Sequence, residues 1–315
     1  MYLNQGGIRY MGFSEFDKKF IENLKDIIEN GTSYESRAVW EDGVHAKCIK
    51  RFGVVNRYNS DYSNKPPVGT IRKLAIKNCI DELLWIWQKK SNNIHDLKSH
   101  VWDQWADENG SIGAAYGFQV ASKLRKASHT TIDYGDFMAI PEKVVHTYWL
   151  DQTDYVIHEL EHNPFNRRII TDLYSVGDTS LMGLDPCCYS CTWNVTEKDD
   201  KKYLNLLLNQ RSQDMIVANN WNVFQYWVLQ NLFALESGLE VGELVHVIAD
   251  CHIYDRHIEI AKHLIDLYSN KDNKKLVNCP DIKINFEGFY TITVDDFIIK
   301  DYKYLKNITK IPVAI

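Results

Sequence analysis

Apolar residues recur every three to four positions in several stretches of the chain. Phe16, Phe20, Leu24, Ile27 and Ile28 share one face, the signature of an amphipathic helix. Ser14, with Asp17 three positions on, reads as its N-cap and Gly31 as its stop. A second helix is predicted over 72–88, burying Ile76, Cys79, Ile80, Leu83, Leu84 and Trp87. A third is predicted over 152–162, ended by Pro164. Residues 221–236 are apolar or aromatic nearly all round, which predicts a central buried helix stopped by Gly238. A last helix is predicted over 255–269.

Strands are predicted over 168–173, 189–195, 203–210 and 244–249, with two more near the C-terminus. The charged stretch 196–202 reads as the turn of a hairpin between the second and third. Residues 32–70 read as loop and strand broken by Pro66-Pro67, and 101–116 as a loop dense in Trp. No period is readable over 117–150. With no repeat, low-complexity tract or linker, one α+β domain is the simplest organisation.

Composition narrows the class. At 315 residues and 45% hydrophobic, the chain has ample material for a core. A formal net charge of −6 argues against non-specific nucleic-acid binding, so DNA is not expected as a partner. A local group of arginines can still hold a small anion. Seven cysteines, irregularly spaced, argue against a secreted disulfide framework and for a reducing compartment. The first thirteen residues do not read as a secretory leader, and no run approaches a membrane span. The expected location is the cytoplasm, with no membrane partner.

Three constellations invite chemistry. His158-Glu159-Leu160-Glu161-His162 is a literal H-E-x-x-H on a predicted helix, and its two histidines share a face that suits zinc. No third ligand follows at a useful downstream spacing and Pro164 ends the helix at once, so the pair is expected to be a coincidence and no metal is expected. Cys187-Cys188-x-x-Cys191 runs into a strand that should place alternate cysteines on opposite faces, which favours a single reactive thiol over a metal site. The third runs from Gln210-Arg211-Ser212-x-Asp214 through Asn222 to Asp250-x-His252-x-Tyr254. A guanidinium with a hydroxyl suits phosphate, and an Asn amide matches a pyrimidine edge. On spacing alone a plainer reading is the stronger, with Arg211 a surface ion pair and Asn222 a helix cap.

That third stretch, with Gly242-Glu243 and His257, resembles the signature of the thymidylate synthase family in order and spacing. Glu82-Leu83-Leu84-Trp85, Trp102-Asp103-x-Trp105-Ala106-Asp107-Glu108-Asn109-Gly110, Arg167-Arg168-Ile169-Ile170 and Leu184-Asp185-Pro186-Cys187 extend the likeness, as does the C-terminal Pro312-Val313-Ala314-Ile315. It covers the chain from about Phe16 to the end. Within the family it looks most like the branch with Asn222-Val223-Phe224-Gln225-Tyr226. Departures occur at Cys188, at Ala218-Asn219-Asn220-Trp221 where a Gly-x-Pro-Phe turn is usual, and at Arg37 within Ser36-Arg37-Ala38-Val39.

The resemblance implies an α+β fold with a mixed sheet packed by helices and a homodimer formed through that sheet. It places an N-terminal extension at 1–12 and the catalytic domain at 13–315. It implies a methyltransferase that converts dUMP to dTMP with 5,10-methylenetetrahydrofolate as methylene and hydride donor, giving dihydrofolate. A pyrimidine nucleotide hydroxymethylase on the same fold is the alternative. Cys187 would be the nucleophile, Glu82 the general acid–base, and Asn222 the reader of the uracil edge. Arg211, Ser212 and Arg37 would hold the phosphate within a subunit, with Arg167 and Arg168 reaching it from the partner. His252 and Tyr254 would bind the 3′-hydroxyl, Asp214 the pterin, and Trp102, Trp105 and Ile315 would cover the folate.

Overall fold

The computed structural model describes residues 12–133 and 142–315, so nearly all of the expected extension at 1–12 lies outside it. In chain order the elements are α1 (Glu15–Asn30), β1 (Thr32–Val39), β2 (His45–Tyr58), α2 (Ile76–Trp87), α3 (Gly117–Ser122), β3 (Arg125–Asp133), β4 (Glu142–Leu150) and α4 (Gln152–His162). Then come β5 (Ile170–Asp172), β6 (Cys188–Lys198), β7 (Lys201–Asp214), α5 (Asn219–Glu236), β8 (Glu240–Tyr254), α6 (Ile258–Ser269), β9 (Asp281–Ile284) and β10 (Phe297–Lys300).

Helix α1 begins as its sequence predicts. Ser14 Oγ accepts the Asp17 N–H at 3.0 Å and the Asp17 carboxylate accepts the Ser14 N–H at 3.0 Å, a capping box. Asp17 is fully buried and also accepts the N–H groups of Thr70 and Ile71 and the Thr70 hydroxyl. One carboxylate therefore caps the helix and ties it to the segment that leads into α2. Burial still raises its pKa against these donors, the usual response of a desolvated acid.

Six strands form a mixed sheet in the order β1-β2-β8-β7-β6-β5. Neighbours run antiparallel except β7 and β8, which are parallel and so need a crossover between them. Helix α5 is that crossover, buried over almost its whole length. Its Gln230 donates to the carbonyls of Leu204 (2.7 Å) and Glu243 (3.2 Å), which ties the helix to both parallel strands. A continuous apolar cluster runs from Phe16 of α1 through α2 and α5 to Phe297 of β10. The hairpin between β6 and β7 turns at Asp199 and Asp200, both at positive φ (52° and 58°), the backbone of a two-residue turn that follows strand twist.

Several boundaries differ from the pattern-based expectation. Helix α2 starts at Ile76 rather than 72, because Lys73 N–H is committed to Lys306 O (2.8 Å) and Leu74 N–H to the Tyr302 hydroxyl (2.8 Å). Residues 255–257 form a separate 3-10 turn before α6. Strand β8 is far longer than 244–249, since β2 and β7 pair along both of its edges. Cys188 and Cys191 do not lie on opposite faces in the simple sense. A register shift between Cys188 and Ser190 changes the alternation, and both thiols are buried.

The unreadable stretch 117–150 holds α3 and an antiparallel ribbon of β3 and β4. The residues of these two strands are mostly exposed on both faces, which is why no inward-facing period appears there. The ribbon packs on α4 and brings His129 of β3 against His158 and His162. The H-E-x-x-H pair thus has a third histidine close by, supplied from upstream.

Candidate active site

Cys187 ends the loop that enters β6, and two distant segments hold its backbone. Its N–H donates to the Tyr116 hydroxyl at 3.2 Å, and its carbonyl accepts the Arg211 N–H at 2.9 Å. The Arg211 guanidinium donates through Nε to Pro186 O (3.1 Å) and through Nη2 to Asp185 O (2.7 Å). Arg211 is therefore no surface ion pair: it grips the loop with main chain and side chain. Burial raises the Cys187 thiol pKa, and the Arg211 charge pulls against it. Cys188 and Cys191 are buried, with burial pushing each thiol far up. Cys279, the other half-buried thiol, is pushed up to about 12. Cys187 is thus the half-buried thiol with an arginine beside it.

No local pattern in the sequence marks Tyr116 as a site residue. It lies 71 positions before Cys187 and adopts φ 45°, ψ −102°. A positive φ in an aromatic residue costs roughly 1–3 kcal/mol and persists where surrounding contacts enforce it. Burial keeps its phenol protonated.

Glu82, on α2, is buried and accepts the Trp221 Nε1–H at 2.8 Å through Oε2. Burial lifts its pKa from 4.5 to about 7, against the Trp221 donor and the polar edges of nearby Trp102 and Gln225. A carboxyl poised there exchanges protons near neutral pH. Trp221 is one of the departures from the family pattern, and its indole supplies this bond. Asn220, beside it, accepts the Gly69 N–H (2.9 Å) and donates to Pro67 O (2.9 Å). Trp102 is buried, with ring centroids 4.9 Å from Tyr116, 5.4 Å from Trp105 and 6.0 Å from Trp85. These rings form an aromatic wall near Glu82.

Asn222 lies in the first turn of α5 and does not cap it; the N-cap is Ala218. Its Oδ1 accepts from Gln210 Nε2 (3.2 Å) and Gln213 Nε2 (3.3 Å). Gln210 Oε1 is in turn 2.7 Å from His246 Nε2. Burial lowers the His246 pKa to about 3, so the ring is neutral and this Nε2 donates. The chain His246–Gln210–Asn222 therefore fixes the amide with its oxygen toward the glutamines.

Asp214 accepts the N–H groups of Ile216 (2.8 Å) and Val217 (3.0 Å), and its Oδ2 lies 3.7 Å from His257 Nδ1. Burial raises its pKa, but His257, His252 and the backbone outweigh that, and the net shift is downward. His257 Nε2 lies 2.8 Å from Pro312 O, and Ile315 exchanges two backbone hydrogen bonds with Val39 (2.7 and 2.9 Å). The C-terminal tail is thus moored between Asp214's histidine and the end of β1, which carries Arg37. His252 and Tyr254 share a face of β8 with ring centroids 4.9 Å apart. His252 Nδ1 is 2.9 Å from Asp250 Oδ1, and its buried Nε2 has no partner among the described residues.

The chain brings Cys187, Arg211, Ser212, Asp214, His252, Tyr254 and Asn222 onto the adjoining ends of β6, β7, β8 and α5, with Glu82 in the middle of α2 and Trp102 and Trp105 on the Trp-rich loop beside them. Arg37 and the Ile315 side chain are exposed at the rim. Arg167 and Arg168 are exposed on the α4–β5 loop, and among the described residues neither guanidinium bonds to the Cys187 loop.

A family model described as thymidylate synthase matches residues 18–315. A thymidylate synthase of Bacillus subtilis subsp. natto is 39% identical over 300 residues, covering 92% of this chain and 96% of that protein. One from Bacillus phage phi3T is likewise 39% identical over 300 residues, with the same coverage. The solved thermostable thymidylate synthase A from Bacillus subtilis superposes with a TM-score of 0.80 at 35% identity, covering 96% of this chain and 100% of that one. With sequence and fold in agreement over nearly the whole length, the chain belongs to the thymidylate synthase family.

Proposed function

We propose that the chain is a thymidylate synthase that methylates C5 of dUMP, with residues 13–315 acting as one catalytic domain of a cytoplasmic homodimer. The observation that carries the residue assignment is the pairing of a gripped, half-buried Cys187 with Glu82 poised at about 7. Cys187 gives its proton to solvent and its sulfur adds to C6, the displaced electron pair passing through C5 toward O4. Loss of the C5 proton, hydride transfer and expulsion of the Cys187 sulfur from C6 later restore the C5–C6 double bond and free the product. Arg211 and the substrate phosphate's other cationic partners favour the thiolate that burial alone disfavours. Glu82 gives and takes the proton at O4 and orders water there. Asn222, held by Gln210 and Gln213, meets the O4 and N3–H edge.

Arg211, Ser212 and Arg37 bind the phosphate, and His252 and Tyr254 bind the 3′-hydroxyl. The unpartnered, buried His252 Nε2 supports the last role. The exposure of Arg167 and Arg168 supports their reaching a partner subunit's phosphate. The Trp102–Trp105–Tyr116 wall and the ionised Asp214 suit a flat, amine-bearing pterin. 5,10-Methylenetetrahydrofolate supplies the methylene carbon and the hydride. Trp102, Trp105 and the Ile315 tail shield that chemistry from water.

The retained Trp102 and the curated relatives favour methylation over hydroxymethylation. Incubation with dUMP and methylenetetrahydrofolate should yield dTMP and dihydrofolate in equal amounts. Hydroxymethyl-dUMP with tetrahydrofolate would overturn the assignment. Among the described residues no helix is long and apolar enough to cross a membrane.

A further inference from the structure

Outside the catalytic centre, three histidines meet at the β3–α4 junction. His158 and His162 project from one face of α4 one turn apart, with ring centroids at 4.4 Å. His129 of β3 packs on both, at 5.2 Å from the His158 ring and 4.0 Å from the His162 ring. Each of the three rings offers a nitrogen within 4.8 Å of the other two. His129 Nδ1 and His158 Nε2 are 3.1 Å apart. A tetrahedral zinc with bonds near 2.0–2.1 Å needs its nitrogens about 3.3 Å apart.

Neighbours at the outer nitrogens of His162 and His158 set which nitrogen of each ring is free to ligate. His162 Nδ1 lies 2.9 Å from the His158 carbonyl, an acceptor, so its proton sits on Nδ1 and Nε2 is left as the ligand atom. His158 Nδ1 is buried without a hydrogen-bond partner and faces Glu159 Oε1 at 3.5 Å. That carboxylate is anchored through Oε2 by Asn166 Nδ2 at 2.6 Å. A carboxylate behind a ligating imidazole fixes its tautomer and strengthens its donor nitrogen. Glu159 therefore backs His158 rather than facing the space between the three rings, which is not where a protease's general base belongs.

We infer that His129 Nδ1, His158 Nε2 and His162 Nε2 form a site for a zinc-like divalent cation, with Glu159 as the supporting carboxylate and water completing the coordination. Three imidazoles select this class of metal over magnesium or calcium, which prefer oxygen. The ion staples the β3–β4 ribbon to α4. The expectation of no metal rested on the lack of a third ligand downstream of His162; the fold brings one from 29 residues upstream of His158.

The test uses the full chain, stripped with EDTA and dialysed, titrated with zinc sulfate by calorimetry and with cobalt(II) by absorption spectroscopy. One zinc per subunit should bind, and cobalt should give tetrahedral d–d bands without a thiolate charge-transfer band. His162→Gln and His129→Asn, at less buried positions than His158, should each weaken binding by at least about 100-fold, and Glu159→Gln by about 10–100-fold. Unchanged circular dichroism and dUMP binding would show that the variants fold. No zinc uptake at micromolar free metal means the rings share only a hydrogen bond, and overturns the site. Stoichiometric uptake that survives His129→Asn, or a thiolate band, places the metal elsewhere and overturns it equally.

Discussion

Glu82 is where the fold works against its own stability, and Glu82→Gln measures by how much. Burial holds the carboxyl at about 7 rather than 4.5. The folded chain therefore binds this proton more tightly than the unfolded chain does. The resulting stabilisation is complete below about pH 4.5 and is lost as pH rises through 7. Relative to a carboxyl that stays protonated in both states, the raised pKa costs about 3 kcal/mol at about pH 8, where the folded group is ionised, and about 1 kcal/mol at about pH 5, where it stays protonated while the unfolded chain has begun to ionise. A glutamine of the same shape keeps an oxygen for the Trp221 indole and never ionises. The stability of Glu82→Gln relative to the native chain should thus rise by about 2 kcal/mol between those two pH values. Urea unfolding of both proteins at each pH, at one fixed subunit concentration, reads this directly. Fixed concentration matters because oligomer stability depends on it. Every other titrating group is common to both proteins and cancels. The variant should be nearly inactive. A stability difference that does not change with pH would show that Glu82 is not held protonated by burial, and the acid–base role would lose its physical basis.

Cys187→Ser should lower turnover by at least about 1,000-fold while dUMP still binds; Cys188→Ala should keep most activity, and a normal rate for Cys187→Ser would end the nucleophile assignment. Asn222→Asp keeps both glutamine bonds but loses its donor and sets a charge against O4, so dUMP turnover should fall at least about 100-fold and dCMP improve relative to it. An unchanged preference, measured by competition, would refute that role. Refolding a mixture of Cys187→Ala with the double variant Arg167→Ala/Arg168→Ala should restore about a quarter of native activity, since each mixed dimer has one complete site. A verified mixed dimer that stays inactive would place the arginines within their own subunit.

The elements legible in the sequence were those whose evidence is local. The Ser14–Asp17 box, Gly31, the α4 span and the β6–β7 turn each depend on residues within a few positions, so the pattern places them nearly where the structure does. Most candidate site residues were legible through a likeness of motifs, because those motifs keep their order along the chain. Distant pairing was not legible. Tyr116 meets the Cys187 N–H across 71 residues. Arg72–Leu74 join the C-terminal segment instead of α2, and Trp221 on α5 supplies Glu82 on α2 with its donor. The bulge that buries both Cys188 and Cys191 arises from pairing with β7. His129 joined His158 and His162 only because an exposed ribbon, silent in hydrophobic period, folds back on α4. The sequence alone thus determined caps, turns, helical faces and the kinds of chemistry present. Tertiary structure decided which side chains meet and how far burial shifts their protons, because both depend on neighbours that chain order does not specify.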